Sequence, residues 1–209
     1  MRAAGEVYLP RETAEASLQY TNRLKRSFLY GALRNTINKV IAKPFTKPVI
    51  VEGSSKTTDM ESITIFARAL FADAVKYNEA FFLVEYPKTE GPMSVADEAK
   101  IQPYFVRIHP KDMLEASDEM LRYKYCVDVR DCDYETEEVK RIRVMTATTW
   151  EVHENVKEDV WSKIDEGVHS FGSIPLVEVQ LEDSLPFEDL AYTNLAHWQS
   201  NSDQRNILR

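Results

Sequence analysis

Apolar residues recur at helical spacing along the N-terminal part of the chain. Residues 11–42 carry the longest such pattern, and a break in the helix is expected near Gly31. Pro44 and Pro48 end the pattern, because proline cannot continue a helix and disfavours helical backbone before it. The apolar stripe consists of Leu24, Phe28, Leu33, Ile37, Val40 and Ile41. The pattern predicts a helical region that is followed by an extended segment.

A second helical pattern follows and leads directly into a strand. Thr58 or Asp59 is suited to cap its N-terminus, and Asn78 is suited to left-handed backbone at its C-terminus. One face carries Ile63, Phe66, Ala67, Leu70, Phe71 and Ala74. The short apolar run "AFFLVEYP", bounded by Pro87, then predicts a buried strand.

Strand patterns dominate the chain after residues 88–100, which have the composition of a loop. One strand is predicted from "PYFVRIHP", and residues 121–129 alternate between apolar and polar positions. Together with "VKRIRVMTA", "TWEVHE" and "DVWSKI" they predict an antiparallel β-meander, and "FGSIPLVEVQ" predicts a last strand. The predicted fold class is α+β, with N-terminal helices packed on a mostly antiparallel sheet or meander and a helix at the end.

The final stretch, "DLAYTNLAHWQSNSDQRNILR", predicts a helix that begins near Pro186. Its apolar face carries Leu190, Ala191, Leu195 and Trp198, and Ile207 and Leu208 continue it. The pattern reaches Arg209 without the Gly, Asn or Pro that usually ends a helix. We therefore expect this face, with Leu195 and Trp198, to meet another element or another subunit.

Charge is distributed unevenly along the chain. The net charge is −8, yet residues 16–51 contain no acidic residue and carry a charge of +7, so the remainder carries −15. The seven cations are Arg23, Lys25, Arg26, Arg34, Lys39, Lys43 and Lys47. This asymmetry predicts a nucleic acid or an acidic surface of a neighbouring subunit as partner, with Arg23, Arg26 and Arg34 as candidate subunit contacts. The alternative is a solvated helix face.

Composition narrows the class of protein further. The apolar fraction of 44% is that of a globular domain, and no run of 18 apolar residues occurs, so no membrane partner is expected. The N-terminus lacks the apolar core of a signal peptide. Cys126 and Cys132 form no Cys-x-x-Cys motif, and two reduced thiols are expected.

We find no catalytic, cofactor-binding or metal-binding motif. No glycine-rich phosphate loop and no Gly-x-Ser-x-Gly occurs, and the four histidines, His109, His153, His169 and His197, are expected at surfaces or strand edges. The acidic turn at 131–135 fails as an EF-hand loop, because Thr136 and Ile142 stand where glycine and a carboxylate are needed. Tyr123 and Tyr125 could stack on single-stranded nucleic acid, although packing against helices explains them more simply.

Four stretches resemble, in the right order, a portal-like protein family of tailed bacteriophages and prophages. These are "YLPRETAEASLQYTNRLKRSFLYGALRNTINKVIAKPF", "DMESITIFARALFADAVKYNEAFFLVEYP", "QPYFVRIHPKDML" and "FGSIPLVEV" with "LPFEDLAYTNLAHWQSNSDQRNIL". The most specific part pairs Gly-x-Ile-Pro-Leu-Val with Asp-Leu-Ala-x-x-Asn-x-x-His-x-x-x-x-Ser-Asp. The resemblance covers essentially the whole chain.

The resemblance implies a structural function without bond chemistry. Portal proteins form a ring, typically dodecameric, at one capsid vertex, through which double-stranded DNA is packaged and ejected. The implied partners are other portal subunits, the terminase motor, the capsid and tail or adaptor proteins. The implied location is the virion, and the host cytoplasm during assembly. No cofactor and no enzymatic activity are implied.

The resemblance also implies a division of the chain. Residues 1–183 would form a portal wing-like α+β domain, and 184–209 would begin a stem-type helix that is cut short, since portal proteins are roughly twice as long. Where the family often has Gly before the strand, this chain has Asn78 and Glu79. Asn can adopt the same backbone conformation.

Two other functions stay open at this point. One is a nucleic-acid-binding or adaptor module that uses the basic helix at 23–47, which predicts salt-sensitive DNA binding. The other is an enzyme of unfamiliar type, which the absence of clustered catalytic motifs disfavours.

Overall fold

The computed structural model describes residues 2–50, 60–87, 103–130, 136–157, 160–181 and 184–207. It has the predicted α+β class, with helices, antiparallel sheets and a helix at the end. The chain divides into two compact units, residues 1–64 with 182–209 (unit 1) and residues 65–181 (unit 2). The last helix thus groups with the N-terminal helices, which differs from the expected division at 183/184. This grouping does not test whether the helix begins a stem.

Unit 1 is built mainly from helices. Helix α1 spans Ser17–Arg26 and helix α2 spans Ala32–Ala42, with short 3-10 helices at Arg2–Val7 and Pro44–Thr46. The predicted break near Gly31 is confirmed, but it is wider than expected, because Ser27 is already extended and α2 starts after Gly31. Residues 11–16, predicted to be helical, precede α1.

The second predicted helix and its strand are confirmed. Helix α3 spans Met60–Tyr77, and the boundary between the two units falls within it, between Thr64 and Ile65. Asn78 has a φ of 66° and turns the chain into strand β1, Glu79–Glu85. The expected caps Thr58 and Asp59, and the expected loop at 88–100, lie outside the described residues.

Unit 2 contains two antiparallel sheets rather than the one that was predicted. In the first sheet, β1 pairs on one side with β2, Tyr104–Ile108, and on the other with β8, Leu176–Gln180. The strand predicted from "FGSIPLVEVQ" therefore lies beside the sequence-distant β1 and outside the meander. Gly172, with a φ of 73°, lies ahead of it.

The second sheet is the predicted meander with one strand more. Its order is β3-β4-β5-β6-β7, and the short strand β3, Met113–Ala116, was not predicted. The remaining strands are β4, Leu121–Arg130, β5, Thr136–Met145, β6, Thr149–Lys157, and β7, Val160–Val168. The acidic turn between β4 and β5, at 131–135, lies outside the described residues.

The core of unit 2 joins residues of both sheets. It consists of Phe81, Leu83, Ile108, Leu121, Tyr123 and Met145. Tyr123 therefore packs inside the core, which explains its alternation with polar neighbours without nucleic-acid stacking. Within the described part of the chain, no helix has the length and apolar character to cross a bilayer.

The final helix of unit 1, α4, spans Glu188–Ile207. It begins where it was predicted, just after Pro186, with Glu188 and Asp189 in its first turn, where acidic side chains favour the helix dipole.

Candidate functional site

Unit 2 contains an open cleft of about 910 Å³. It is built by the end of β1, the start of β2, strands β5 to β7 and the segment that follows β7. The lining residues are Glu85, Tyr86, Pro87, Tyr104, Arg143, Met145, Trp150, Val152, and residues 165–171. A concave surface that combines aromatic rings with a few polar groups is the common form of a binding site.

A partly buried ion pair lies in this cleft. Glu85 is the last residue of β1, and its carboxylate contacts the Arg143 guanidinium of β5. Tyr104 stands opposite Glu85 in the β1–β2 register and donates a hydrogen bond to its Oε2 at 2.8 Å. Burial, followed by this hydrogen bond to the carboxylate, raises the pKa of the Tyr104 phenol.

Trp150 and Gly167 fix the position of Arg143. The guanidinium carbon lies 5.3 Å from the centre of the Trp150 ring, which is a cation–π distance. Trp150 stands opposite Gly167 in the β6–β7 register, and a Cβ at residue 167 would lie 2.7 Å from the indole ring. Only glycine therefore lets the indole lie across β7 in this position.

Three buried polar atoms of the cleft have no hydrogen-bond partner among the described residues. The Glu85 Oε1 is one, but it contacts Arg143 in the ion pair; the Arg143 Nε and the His169 Nδ1 are the other two. His169 donates a hydrogen bond from Nε2 to the carbonyl oxygen of Thr146 at 2.9 Å, and in the neutral tautomer that this requires, Nδ1 is an acceptor. The cleft thus offers one unused donor and one unused acceptor.

Aromatic rings form one part of the rim. The rings of Tyr86 and Phe171 are 5.8 Å apart, and the ring of Phe171 is 5.2 Å from that of His169. Tyr86 and Phe171 are nevertheless 50% and 40% exposed. Their faces are available for stacking on an aromatic or cationic group.

Acidic residues form another part of the rim. Asp165 and Glu166 line the cleft, and Lys163 donates a hydrogen bond to Glu166 at 2.6 Å. Of the charged lining groups, three are carboxylates and one is an arginine, which is paired with Glu85. The cleft therefore favours a cationic or aromatic ligand over an anionic one.

The sequence-predicted residue Arg23 lies inside unit 1. Its Nε and Nη2 donate to both oxygens of Glu15 at 2.9 and 2.8 Å, and its Nη1 donates to Asp203 at 2.9 Å. Nη2 also donates to the Pro10 carbonyl at 2.7 Å. Burial raises the pKa of the Glu15 carboxyl, but its hydrogen bonds to Arg23 and Glu12 outweigh burial and hold the pKa below its usual value.

Trp198 is also buried within unit 1. It is one of the most completely buried side chains described, and its Nε1 has no hydrogen-bond partner among the described residues. Leu195 is half-buried. The side chains of Arg23 and Trp198 thus have roles within the chain, and a subunit contact through either would require unit 1 to rearrange.

Arg26 and Arg34 remain exposed. Arg26 is the last residue of α1, and its carbonyl accepts a hydrogen bond from Arg205 at 3.3 Å. Arg34 lies on α2. A subunit contact through these two residues stays a prediction, which the structure leaves open.

Sequence patterns did not single out the cleft, although one signal was present. His169 was expected at a surface or a strand edge, and it directly follows β7, half-buried and with its Nδ1 buried. Arg143 has the pattern of an ordinary charged position in an alternating strand. Gly167 interrupts the strand pattern of "DVWSKIDEGV", and a glycine inside a strand indicates a close approach. No group of three metal-ligating side chains occurs in the part of the chain that the structure describes.

Cys126 is not among the residues that line this cleft. Cys126 is a free, exposed thiol on β4, and its pKa is raised by a hydrogen bond to Glu138. Cys132 lies outside the described residues.

Comparison with known proteins does not assign the chain to a family. No protein-family model matches it, and no curated protein matches it significantly.

Proposed function

We propose that the chain is part of a portal-like head–tail connector subunit, with a structural function at a phage capsid vertex. The partners are other copies of the subunit, a terminase motor, capsid and tail or adaptor proteins, and double-stranded DNA in passage. The proposal starts from the four stretches that resemble portal proteins.

The observation that carries the proposal is that the first and last of these stretches meet in unit 1. Arg23, from the first stretch, binds Glu15 of the same stretch and Asp203, which lies 180 residues further along the chain. Gln199 donates a hydrogen bond to the Tyr8 carbonyl at 2.8 Å, and so links the same two stretches. The ends of the chain that resemble one family therefore form one packed unit.

The polar residues of the most specific motif have physical roles in that unit. In "DLAYTNLAHWQSNSD", Asn194 and Ser202 are buried and Asp203 pairs with Arg23, whereas His197 is exposed. Polar side chains at buried positions are constrained far more than surface residues. This supports the resemblance at Asn194, Ser202 and Asp203, three of the five polar letters of the motif, whereas Asp189 is exposed like His197.

Charge supports a conduit rather than a tight DNA-binding protein. Residues 65–181 contain 14 basic and 23 acidic residues, a net charge of −9. DNA affinity grows with the number of phosphates that a protein neutralises, so an acidic surface lets DNA slide.

A nucleic-acid-binding module is the second candidate, and the exposure of the basic segment favours it. Arg23 is neutralised by Glu15 and Asp203, but the other six cations of 16–51 are all exposed. With six phosphate contacts, the logarithm of the DNA affinity would fall with the logarithm of the salt concentration with a slope of about −5.

Two measurements on the same preparation separate these candidates. Light scattering after size exclusion, with electron microscopy of the largest species, tests for a closed ring of the 24.1 kDa chain. Fluorescence anisotropy with duplex DNA at 50 and 200 mM salt tests for electrostatic binding. A symmetric ring with weak DNA binding supports the portal. A monomer whose DNA affinity falls steeply with salt contradicts it.

A charge-reversal variant tests the role of the basic segment in a ring. Arg26→Glu with Arg34→Glu should abolish the ring, whereas Lys76→Glu, an exposed change on α3, should not. Arg23 is unsuitable for this purpose, because its reversal would bury a second carboxylate against that of Glu15, next to the half-exposed Asp203. If the double variant forms rings as readily as the wild type, these arginines do not contact a subunit.

A further inference from the structure

The connection between α1 and α2 exposes an unusual combination of side chains. Phe28 and Tyr30 are 58% and 57% exposed, although both are large and apolar. Arg26 and Arg34 flank them and are also exposed. Exposed aromatic residues beside cations are typical of a surface that binds a partner. We call residues 26–34, "RSFLYGALR", the aromatic-basic segment.

The cleft of unit 2 is complementary to this segment in chemistry. Tyr86 and Phe171 present partly exposed rings at its rim, and Asp165 and Glu166 add carboxylates. The unit around the cleft carries a net charge of −9. The segment is part of a stretch that carries +7. Rings can stack on rings, and the arginines can pair with carboxylates or lie over the rim aromatics.

We infer that the aromatic-basic segment of one copy docks in the unit 2 cleft of a second copy. Phe28 and Tyr30 would pack against Tyr86 and Phe171, while Arg26 or Arg34 faces Asp165 and Glu166. A second copy is the occupant that the charges favour, because each chain carries both the basic donor surface and the acidic acceptor surface. The inference rests on the proposed function, because it names the two surfaces through which copies of the subunit would meet.

Such a contact is heterologous, because it joins two different surfaces. Each copy then retains one free segment or one free cleft, so further copies add until a ring closes or a filament grows. Two chains with complementary defects should therefore pair and stop at a dimer, a result that non-specific self-association would not give.

The test uses two complementary variants of the full chain. One variant, Phe28→Ser with Tyr30→Ser, has a defective segment and an intact cleft. The other, Tyr86→Ser with Phe171→Ser, has an intact segment and a defective cleft. Light scattering is recorded for the wild type, for each variant alone and for their equimolar mixture, across a hundredfold range of concentration.

The expected result is specific to a head-to-tail contact. The wild type assembles with rising concentration, and each variant alone stays at the monomer mass. The mixture forms a species of about twice the monomer mass and nothing larger, because only one intact segment and one intact cleft are present per pair. The variant Glu166→Lys should need a concentration about tenfold higher than the wild type to reach the same degree of assembly.

Controls separate loss of docking from loss of folding. The variant Leu18→Ser with Tyr192→Ser removes two side chains of unit 1 that are at least as exposed, and it should assemble like the wild type. Circular dichroism should show unchanged melting for all variants. A wild type that stays monomeric throughout overturns the inference. Assembly of either variant alone also overturns it, and so does a mixture that forms no heterodimer. If both variants assemble like the wild type, the inferred contact is wrong but the proposed ring is not contradicted.

Discussion

Among the described residues, each unit has an arginine paired with a buried glutamate, and the two arginines differ in how many of their donors are used. In unit 1, Arg23 directs four donor contacts at Glu15, Asp203 and the Pro10 carbonyl. In unit 2, Arg143 contacts Glu85 and lies over Trp150, but its Nε is buried without a partner among the described residues.

The first pair links segments of unit 1, whereas the second pair borders an open cleft. In Arg23 all three guanidinium nitrogens donate and four of the five N–H groups are used, which leaves little capacity for a ligand. These contacts hold three separate stretches of chain together. A guanidinium with an unused donor beside an open cleft retains that capacity. Buried polar groups without partners are rare, and the Arg143 Nε is one that belongs to a residue lining an open cleft. The comparison therefore assigns a structural role to the first pair and leaves the second pair with a donor that a ligand could use.

Removing Arg23 should produce the largest loss of stability. Arg23→Met leaves the Glu15 carboxylate buried without its partner, and both side chains are only 4% exposed. We expect a loss of about 3–5 kcal/mol in the free energy of unfolding, measured by urea titration. Arg26→Met, three residues on in the same helix, is the matched control and should cost about 0.5 kcal/mol or less. Equal losses of unfolding free energy in the two variants would show that the buried contacts of Arg23 do not stabilise unit 1.

Removing Arg143 should cost less, because its pair is only partly enclosed. Its side chain is 20% exposed, and Glu85 keeps the hydrogen bond from Tyr104 when the guanidinium is lost. Arg143→Met should lower the free energy of unfolding by about 1–3 kcal/mol. The control is Arg122→Met on β4, whose exposed pair with Glu115 at 3.7 Å should contribute about 0.2–1 kcal/mol. A loss larger than that of Arg23→Met would reverse the comparison.

Alkaline pH should act on unit 2 through Tyr123. Burial raises the pKa of this phenol from 10.0 to about 12. Between these values the unfolded chain has released the proton and the folded chain has not, so stability falls as pH rises. This rise in the pKa corresponds to a loss of about 2–3 kcal/mol of unfolding free energy at most. Urea titrations at pH 8 and pH 11 should show a smaller difference for Tyr123→Phe than for the wild type.

An unchanged pH difference in Tyr123→Phe would assign the alkaline loss to other groups. Tyr192→Phe is the control, because this tyrosine is 64% exposed and should leave the pH difference unaltered.

Local patterns were sufficient to predict most elements. Helix α3, the turn at Asn78 and β1 follow from short-range signals, since apolar spacing and one left-handed residue define them. The pairing of β8 with β1 could not be predicted, because nearly a hundred residues separate the two strands. Strand β3 was missed since its four residues are mostly exposed and show no alternation.

The site was less predictable than the fold. Charge counting placed Arg23 with Arg26 as equivalent cations, and only the position of Glu15 and Asp203 distinguishes them. Glu15 was visible in the sequence, eight residues earlier, but that spacing does not by itself indicate a pair. The same limit applies to Arg143 and Glu85, which strand pairing and sheet packing bring together.

The smallest expected effect is the response of unit 1 to acid. The pKa of the Glu15 carboxyl lies below 4.5 in the folded chain, because hydrogen bonds to Arg23 and Glu12 outweigh burial. Its stabilising contribution is therefore complete above pH 4.5 and is lost as pH falls through the lowered value. Glu15→Gln should flatten the decline in unfolding free energy between pH 5 and pH 3, whereas Glu188→Gln, exposed at the start of α4, should leave it largely unchanged.

In Arg23→Met the effect of acid on Glu15 has the opposite sign, because burial without a partner favours the protonated carboxyl. Acid should therefore narrow the gap in unfolding free energy between this variant and the wild type. A gap that stays constant from pH 7 to pH 3 would mean that the pair with Glu15 does not account for the stabilisation by Arg23, and that its contacts with Asp203 and Pro10 do.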